Sequence, residues 1–145
     1  MSKTLSDKTL TKEKITLLKN AGYSKKIIQL YTNQVNVGTM RRPNVSLSYT
    51  GSCGDSIKLY LKIVDDIIED ATFHYIGCPA SAACGSIITQ LVKKKKIKDA
   101  LKITKDDVLK ELNGLPNEEC HCAKLAVTTL QKTLKKYENK KKKLW

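Results

Sequence analysis

The hydrophobic period of this chain switches from two to helical at Gly77, and that change constrains its fold more than any other feature. Before it, Val45, Leu47 and Tyr49 alternate with Ser46, Ser48 and Thr50, and Ile57, Leu59, Leu61 and Ile63 alternate with Lys58, Tyr60 and Lys62. Ala71, Phe73 and Tyr75 share one face of a third run. A period of two marks half-buried strands. The turns between them, Gly51 to Asp55 and Asp65-Asp66, are too short for a crossover, so the strands form an antiparallel meander. After Gly77 the period becomes helical: Pro79 suits a first helical position, and Ala80, Cys84, Ile87, Ile88 and Leu91 form one apolar stripe. A short element follows around Ile97 to Leu101. Thr104 caps a helix carrying Val108, Leu109 and Leu112, which Gly114-Leu115-Pro116 ends, and a last helix runs from about His121 to Tyr137. Upstream of the sheet, Ser24 caps a helix with Ile27, Ile28, Leu30 and Tyr31 on its apolar side. Leu10, Ile15, Leu17 and Leu18 face inward from a further short helix ended by Gly22. Strands first and helices afterwards give an α+β fold, a three-stranded antiparallel sheet with helices packed on one face.

At 145 residues, 41% of them hydrophobic, the chain fits one ordinary domain with a real core. No stretch approaches the ~20 apolar residues of a bilayer span, so no membrane is expected. The segment from Met1 to Leu10 is polar, and Asp7 and Glu13 precede the first arginine, Arg41; neither a secretory nor a mitochondrial leader is expected, and the chain reads as cytoplasmic. The formal charge of +13 raises a nucleic-acid reading, but Arg41 and Arg42 are the only arginines and aromatics make up 6% of the chain. Arginine forks and interleaved aromatics are what such recognition uses, so the lysines are read as a solvated surface open to acidic protein partners, with no nucleic acid.

The five cysteines stand at Cys53, Cys78, Cys84, Cys120 and Cys122, with no CxxC pair among them. In a reducing compartment they are ligands, nucleophiles or small hydrophobes before they are disulfides. Cys53 and Asp55 lie in the first strand turn, Cys78 where the third strand hands over to a helix, and His121 and Cys122 at the start of the last helix. All are junctions, where a scaffold presents functional side chains. The intervals between Cys53, Cys78 and Cys122 are too long for a local zinc knuckle, so a shared site at one end of the molecule has to be assembled by the fold. Helix starts favour the thiolates of Cys78 and Cys122 by about 0.3–1 kcal/mol. Cys84 falls on the apolar stripe and reads as core; His74, within the third strand, reads as structural or surface. Cys120 reads as a resolving thiol, a spare ligand or an exposed side chain.

These residues carry a resemblance. Tyr23-Ser24, Asn36-Val37-Gly38, Cys53-Gly54-Asp55, Gly77-Cys78 with small residues after it, and Leu115-Pro116 leading to His121-Cys122 stand in an order that resembles the IscU/NifU-type iron–sulfur cluster assembly scaffolds over about residues 23–137. The resemblance implies a scaffold rather than an enzyme, with a site built from Cys53, Asp55, Cys78, His121 and Cys122. It implies sulfur delivered by a cysteine desulfurase, with Cys122 as persulfide acceptor. Iron is loaded at the same site, a transient [2Fe–2S] cluster forms, and recipient apo iron–sulfur proteins take it up. A ferredoxin-type electron donor and a monomer or homodimer are in keeping with it. Five candidate ligands compete for the four places of a [2Fe–2S] cluster; hard ligands such as Asp55 suit weak holding, so Asp55→Ala is expected to slow transfer. The family's Leu-Pro-Pro-Val-Lys stretch, read by an Hsp70-type chaperone, is here Leu115-Pro116-Asn117-Glu118-Glu119, and the reversed charge counts against that partner. The chain divides as residues 1–22, an N-terminal helical extension; 23–139, the scaffold-like domain; and 140–145, a lysine-rich tail. The rival readings are a zinc-dependent sulfurtransferase, with zinc in place of the cluster, a nucleic-acid module with structural zinc, and a cysteine hydrolase.

Overall fold

The computed structural model describes residues 12–115 and 121–143. Its elements are α1 (Lys12–Asn20), α2 (Lys25–Asn33), β1 (Val45–Thr50), β2 (Ser56–Val64), β3 (Ile67–Ile76), α3 (Pro79–Val92), α4 (Ile97–Ala100), α5 (Lys105–Glu111) and α6 (His121–Lys143). The expected meander is present, with sheet order β1-β2-β3 and both pairs antiparallel.

Register follows the alternation. Leu47 pairs with Leu59 and Leu59 with Phe73, so the three strands turn one apolar face inward. Parity would break in β3, where Ile68 and Ala71 are both buried although an odd number of steps separates them. A bulge resolves this: Lys62 pairs with Asp70 but Ile63 with Ile68, so Glu69 is the extra residue that flips the face. On the outer face Lys58 and Lys62 are exposed, while Tyr60 is covered by the Lys58 ammonium over its ring and the edge of His74.

The helices pack on the inner face, α3 against β3 and α6 across β1 and β2. Their caps follow the sequence. Ser24 accepts from the Ile27 N–H and donates to the Leu112 carbonyl at 2.7 Å, tying the start of α2 to the end of α5. Thr104 and Asp107 form a reciprocal capping box. The loop after α2 is less loose than its composition suggests. Asn36 and Gly38 exchange backbone hydrogen bonds with Phe73, which covers the outer edge of β3.

Three expectations are corrected. The single stripe on α3 is in fact burial all round: every residue from Ala80 to Thr89 is buried, because α3 is wedged between the sheet, α2 and α6. Gly85 makes the approach to the sheet possible, since a Cβ there would overlap the Phe73 ring. The apolar residues of α1 do not face a core; none is buried and Leu17 is 66% exposed, because its interleaved lysines leave no face wide enough to bury. The last helix runs on to Lys143, since no glycine or proline interrupts a run of good helix formers, so residues 140–143 continue α6.

Candidate metal centre

The junctions converge. In the turn between β1 and β2, Gly51 donates to the Asp55 carbonyl and Gly54, at φ +94°, donates to the Gly51 carbonyl. This tight loop exposes Cys53 and turns Asp55 back toward the sheet end. Cys78 is the N-cap residue of α3, with Pro79 behind it fixing the helix start. Cys122 is the second residue of α6 and is buried, whereas His121 before it is exposed.

At the centre, the Cys78 and Cys122 sulfurs lie 3.8 Å apart. The Asp55 Oδ2 atom is 3.6 Å from the Cys78 sulfur and 3.9 Å from that of Cys122. A tetrahedral metal with bonds of about 2.3 Å to sulfur and about 2.0–2.2 Å to oxygen requires S–S and S–O edges of about 3.8 and 3.6 Å. Three edges of such a tetrahedron are therefore already formed. The five expected ligands do not, however, make one set of mutually close atoms. Among the described residues they make two triads, Asp55/Cys78/Cys122 inside and Cys53/Asp55/His121 at the surface, each with ligand atoms within 4.8 Å of one another. Asp55 belongs to both. Beyond the outer triad lies a cavity of about 280 Å³ lined by Tyr49, Gly51, Ser52, Cys53, His121, Lys124, Leu125 and Thr128.

The sequence did not single out Ser81, which organises the inner triad. It lies three residues beyond Cys78 and is completely buried. Its hydroxyl donates to Asp55 Oδ2 at 2.5 Å and sits 3.7 and 3.5 Å from the Cys78 and Cys122 sulfurs. A serine one turn after the N-cap in an otherwise alanine-rich helix was the only available signal. Gly77 has a matching role. At φ +152° it would place a Cβ 2.6 Å from the Asp55 carboxylate, so only glycine lets the carboxylate reach the helix start.

Burial alone would raise the Asp55 pKa. Hydrogen bonds from the Ser81 hydroxyl and from the Cys78 thiol and backbone, with the nearby His121, reverse this and hold the carboxyl below its ordinary value. Cys122 departs from expectation. The hydrogen bond it shares with Cys78, followed by burial, pushes its thiol well above the ordinary range. A helix start, which favours a thiolate by a fraction of a kcal/mol, opposes this shift only weakly, whereas a bound cation would favour the thiolate far more. Cys84 is fully buried in the core, and His74 is exposed on the outer face of the sheet. Cys120 and Pro116 to Glu119 lie outside the described residues. None of the described helices is long and apolar enough to cross a membrane.

Comparison with known proteins fits this architecture. A sequence model described as the NifU-like N terminal domain matches residues 22–144. The chain is 37% identical to the iron–sulfur cluster assembly scaffold protein IscU of Rickettsia prowazekii over 82% of its own length and 94% of that protein. It is 36% identical to the iron–sulfur cluster assembly protein IscU of Plasmodium falciparum, over 94% of its length and 85% of that protein. Among solved structures, a nitrogen-fixing NifU-like protein (N-terminal) from Brucella abortus shares the fold, with a TM-score of 0.69 at 16% identity over 85% of this chain and 99% of that one. With residues 22–144 matched by the family model, the chain belongs to the family of NifU-like N-terminal domains.

Proposed function

We propose that the chain is an iron–sulfur cluster assembly scaffold, which receives sulfur and iron as cargo, joins them at the paired triads and hands the product to recipient proteins. The observation that carries this is the inner triad, whose two sulfurs and one carboxylate oxygen already stand at coordination distances while the outer triad remains open to solvent. Relatives named as iron–sulfur cluster assembly scaffolds support the same reading.

In this reading Cys53, Asp55, Cys78, His121 and Cys122 hold the cargo. The Cys122 thiolate attacks the outer sulfur of a persulfide on a cysteine desulfurase. The sulfur–sulfur bond of the donor breaks, its cysteine leaves as thiolate, and Cys122 retains the transferred sulfur as a persulfide. A ferredoxin-type donor supplies the two electrons that convert each such sulfur to sulfide. Because Cys122 is buried, the start of α6 or the Gly51–Asp55 turn has to move aside for the attack, while Cys53 is already at the surface. Asp55, shared by both triads, passes a cation from the exposed set to the buried one. We place this work in the cytoplasm, where thiols stay reduced.

Anaerobic purification followed by metal and acid-labile sulfide analysis tests the assignment. Iron and sulfide in equal amounts after incubation with a desulfurase and ferrous iron are expected. Stoichiometric zinc with persulfide transfer and no sulfide would instead make the chain a sulfurtransferase. Mass spectrometry of the Cys122→Ser and Cys53→Ser variants locates the acceptor: only the first should fail to gain a sulfur atom.

A further inference from the structure

The lysine excess is unevenly placed. Lys124, Lys132, Lys136 and Lys140 recur on α6 at multiples of four residues, so they follow one ridge that winds slowly round the helix, by about 40° for every four residues, and all four are exposed. The ridge runs beside β1. Lys132 lies over the Tyr49 ring, Lys136 donates to the Ser46 carbonyl at 2.8 Å, and Lys140 reaches the Asn44 carbonyl. A shallow groove of about 550 Å³ separates helix and strand, lined by Leu47, Lys132, Lys135, Lys136, Asn139 and Lys140. At its other end Lys124 lines the cavity that opens onto Cys53 and His121. The single carboxylate of α6, Glu138, lies off this ridge in a cavity with Lys141 and Asp66.

We propose that this ridge docks an extended acidic segment of a partner protein and leads it to the Cys53/His121 end of the molecule. Spacing selects the ligand. Lysines four residues apart on a helix rise by about 6 Å, and alternate side chains of an extended chain by about 6.6 Å. Carboxylates at every second position therefore meet successive ammonium groups, and the flexible lysine stems absorb the difference. From Lys132 to Lys140 the ridge rises ~12 Å, which about four extended residues cover, and the rest of a seven-residue segment reaches toward Lys124. Self-association is disfavoured by a net charge of +13, so the complement comes from an acidic chain. A nucleic acid fits less well, because the ridge has no arginine and no free aromatic face for a base: Tyr49 is half-buried beneath Lys132. The inference goes beyond the scaffold reading and rests only on charge and spacing.

The test uses the full chain without metal and a fluorescein-labelled peptide of about seven residues with glutamate at every second position, read by anisotropy at low salt. An exposed ion pair contributes a factor of about 1.5–5, so Lys132→Glu/Lys136→Glu/Lys140→Glu should weaken binding by about tenfold or more. Lys19→Glu/Lys25→Glu/Lys95→Glu changes the net charge equally at exposed sites outside α6 and should cost less than about threefold. On the unaltered protein, a peptide of the same composition with its glutamates in one block should bind more weakly than the alternating one. Equal losses in the two triple variants, or equal affinity for the two peptides, would overturn the proposal. So would an oligothymidine of the same charge that binds more tightly than the alternating peptide. No outcome depends on cluster formation, so this docking surface and the scaffold reading can fail separately.

Discussion

Ser81→Ala should expose how the metal-free site is held together. The variant removes a fully buried hydroxyl whose hydrogen bond to Asp55 Oδ2 is 2.5 Å long. A hydrogen bond to a charged acceptor contributes about 1.5–3 kcal/mol, and alanine returns up to about 0.5 kcal/mol of helix propensity, leaving a net loss of about 1–2.5 kcal/mol at neutral pH. In a domain of this size that lowers Tm by about 3–8 °C. The pH dependence separates this role from packing. The folded-state pKa of Asp55 is depressed, so the stability it contributes is present above the ordinary carboxylate value and is lost as pH falls through the lower, folded value. Protonation turns the serine's acceptor neutral, and the deficit should shrink toward about 0.5–1 kcal/mol. Ser86→Ala is the control: that buried hydroxyl donates to the Val35 and Ala82 carbonyls, which do not titrate, so its deficit should not vary with pH. Urea denaturation of both variants at neutral and acidic pH measures the difference. A Ser81→Ala deficit as large in acid as at neutral pH would refute the argument, because the hydroxyl would then be a packing element and Asp55 would be held by something else.

Gly77→Ala should lose about 1–3 kcal/mol to backbone strain and also displace the Asp55 carboxylate; cobalt(II) titration should show weakened binding and altered absorption bands, and an unchanged spectrum would contradict the contact. Asp55→Ala, which removes the one ligand common to both triads, should slow cluster transfer to a recipient apo-protein; transfer at an equal or greater rate would reject that role. Cys84→Ala should cost about 1 kcal/mol and leave cobalt stoichiometry intact, as for a buried small hydrophobe, and a lost equivalent of metal would make it a ligand.

Local pattern set much of this protein. The alternation of Val45 to Tyr49 and Ile57 to Ile63 specified strands and their inward face, because side chains on a pleated strand alternate whatever lies above them. Ser24 and Thr104 announced helix starts because capping is satisfied within one turn. Cys53, Asp55, Cys78, His121 and Cys122 could be placed at element junctions for the same reason. Long-range geometry was another matter. The bulge at Glu69, the all-round burial of α3 and the division of the ligands into two triads depend on how separate elements meet, which no local spacing reports. Ser81 was invisible for that reason, since its partner Asp55 is distant in the chain and only the packing of α3 against the β1–β2 turn joins them. The same packing inverted the expectation for Cys122: a helix start favours a thiolate by a fraction of a kcal/mol, but burial beside a second thiol outweighs it. Which residues can bind is written in residue type and position, whereas how tightly their protons and cargo are held follows from desolvation and contact, and those exist only once the chain has folded.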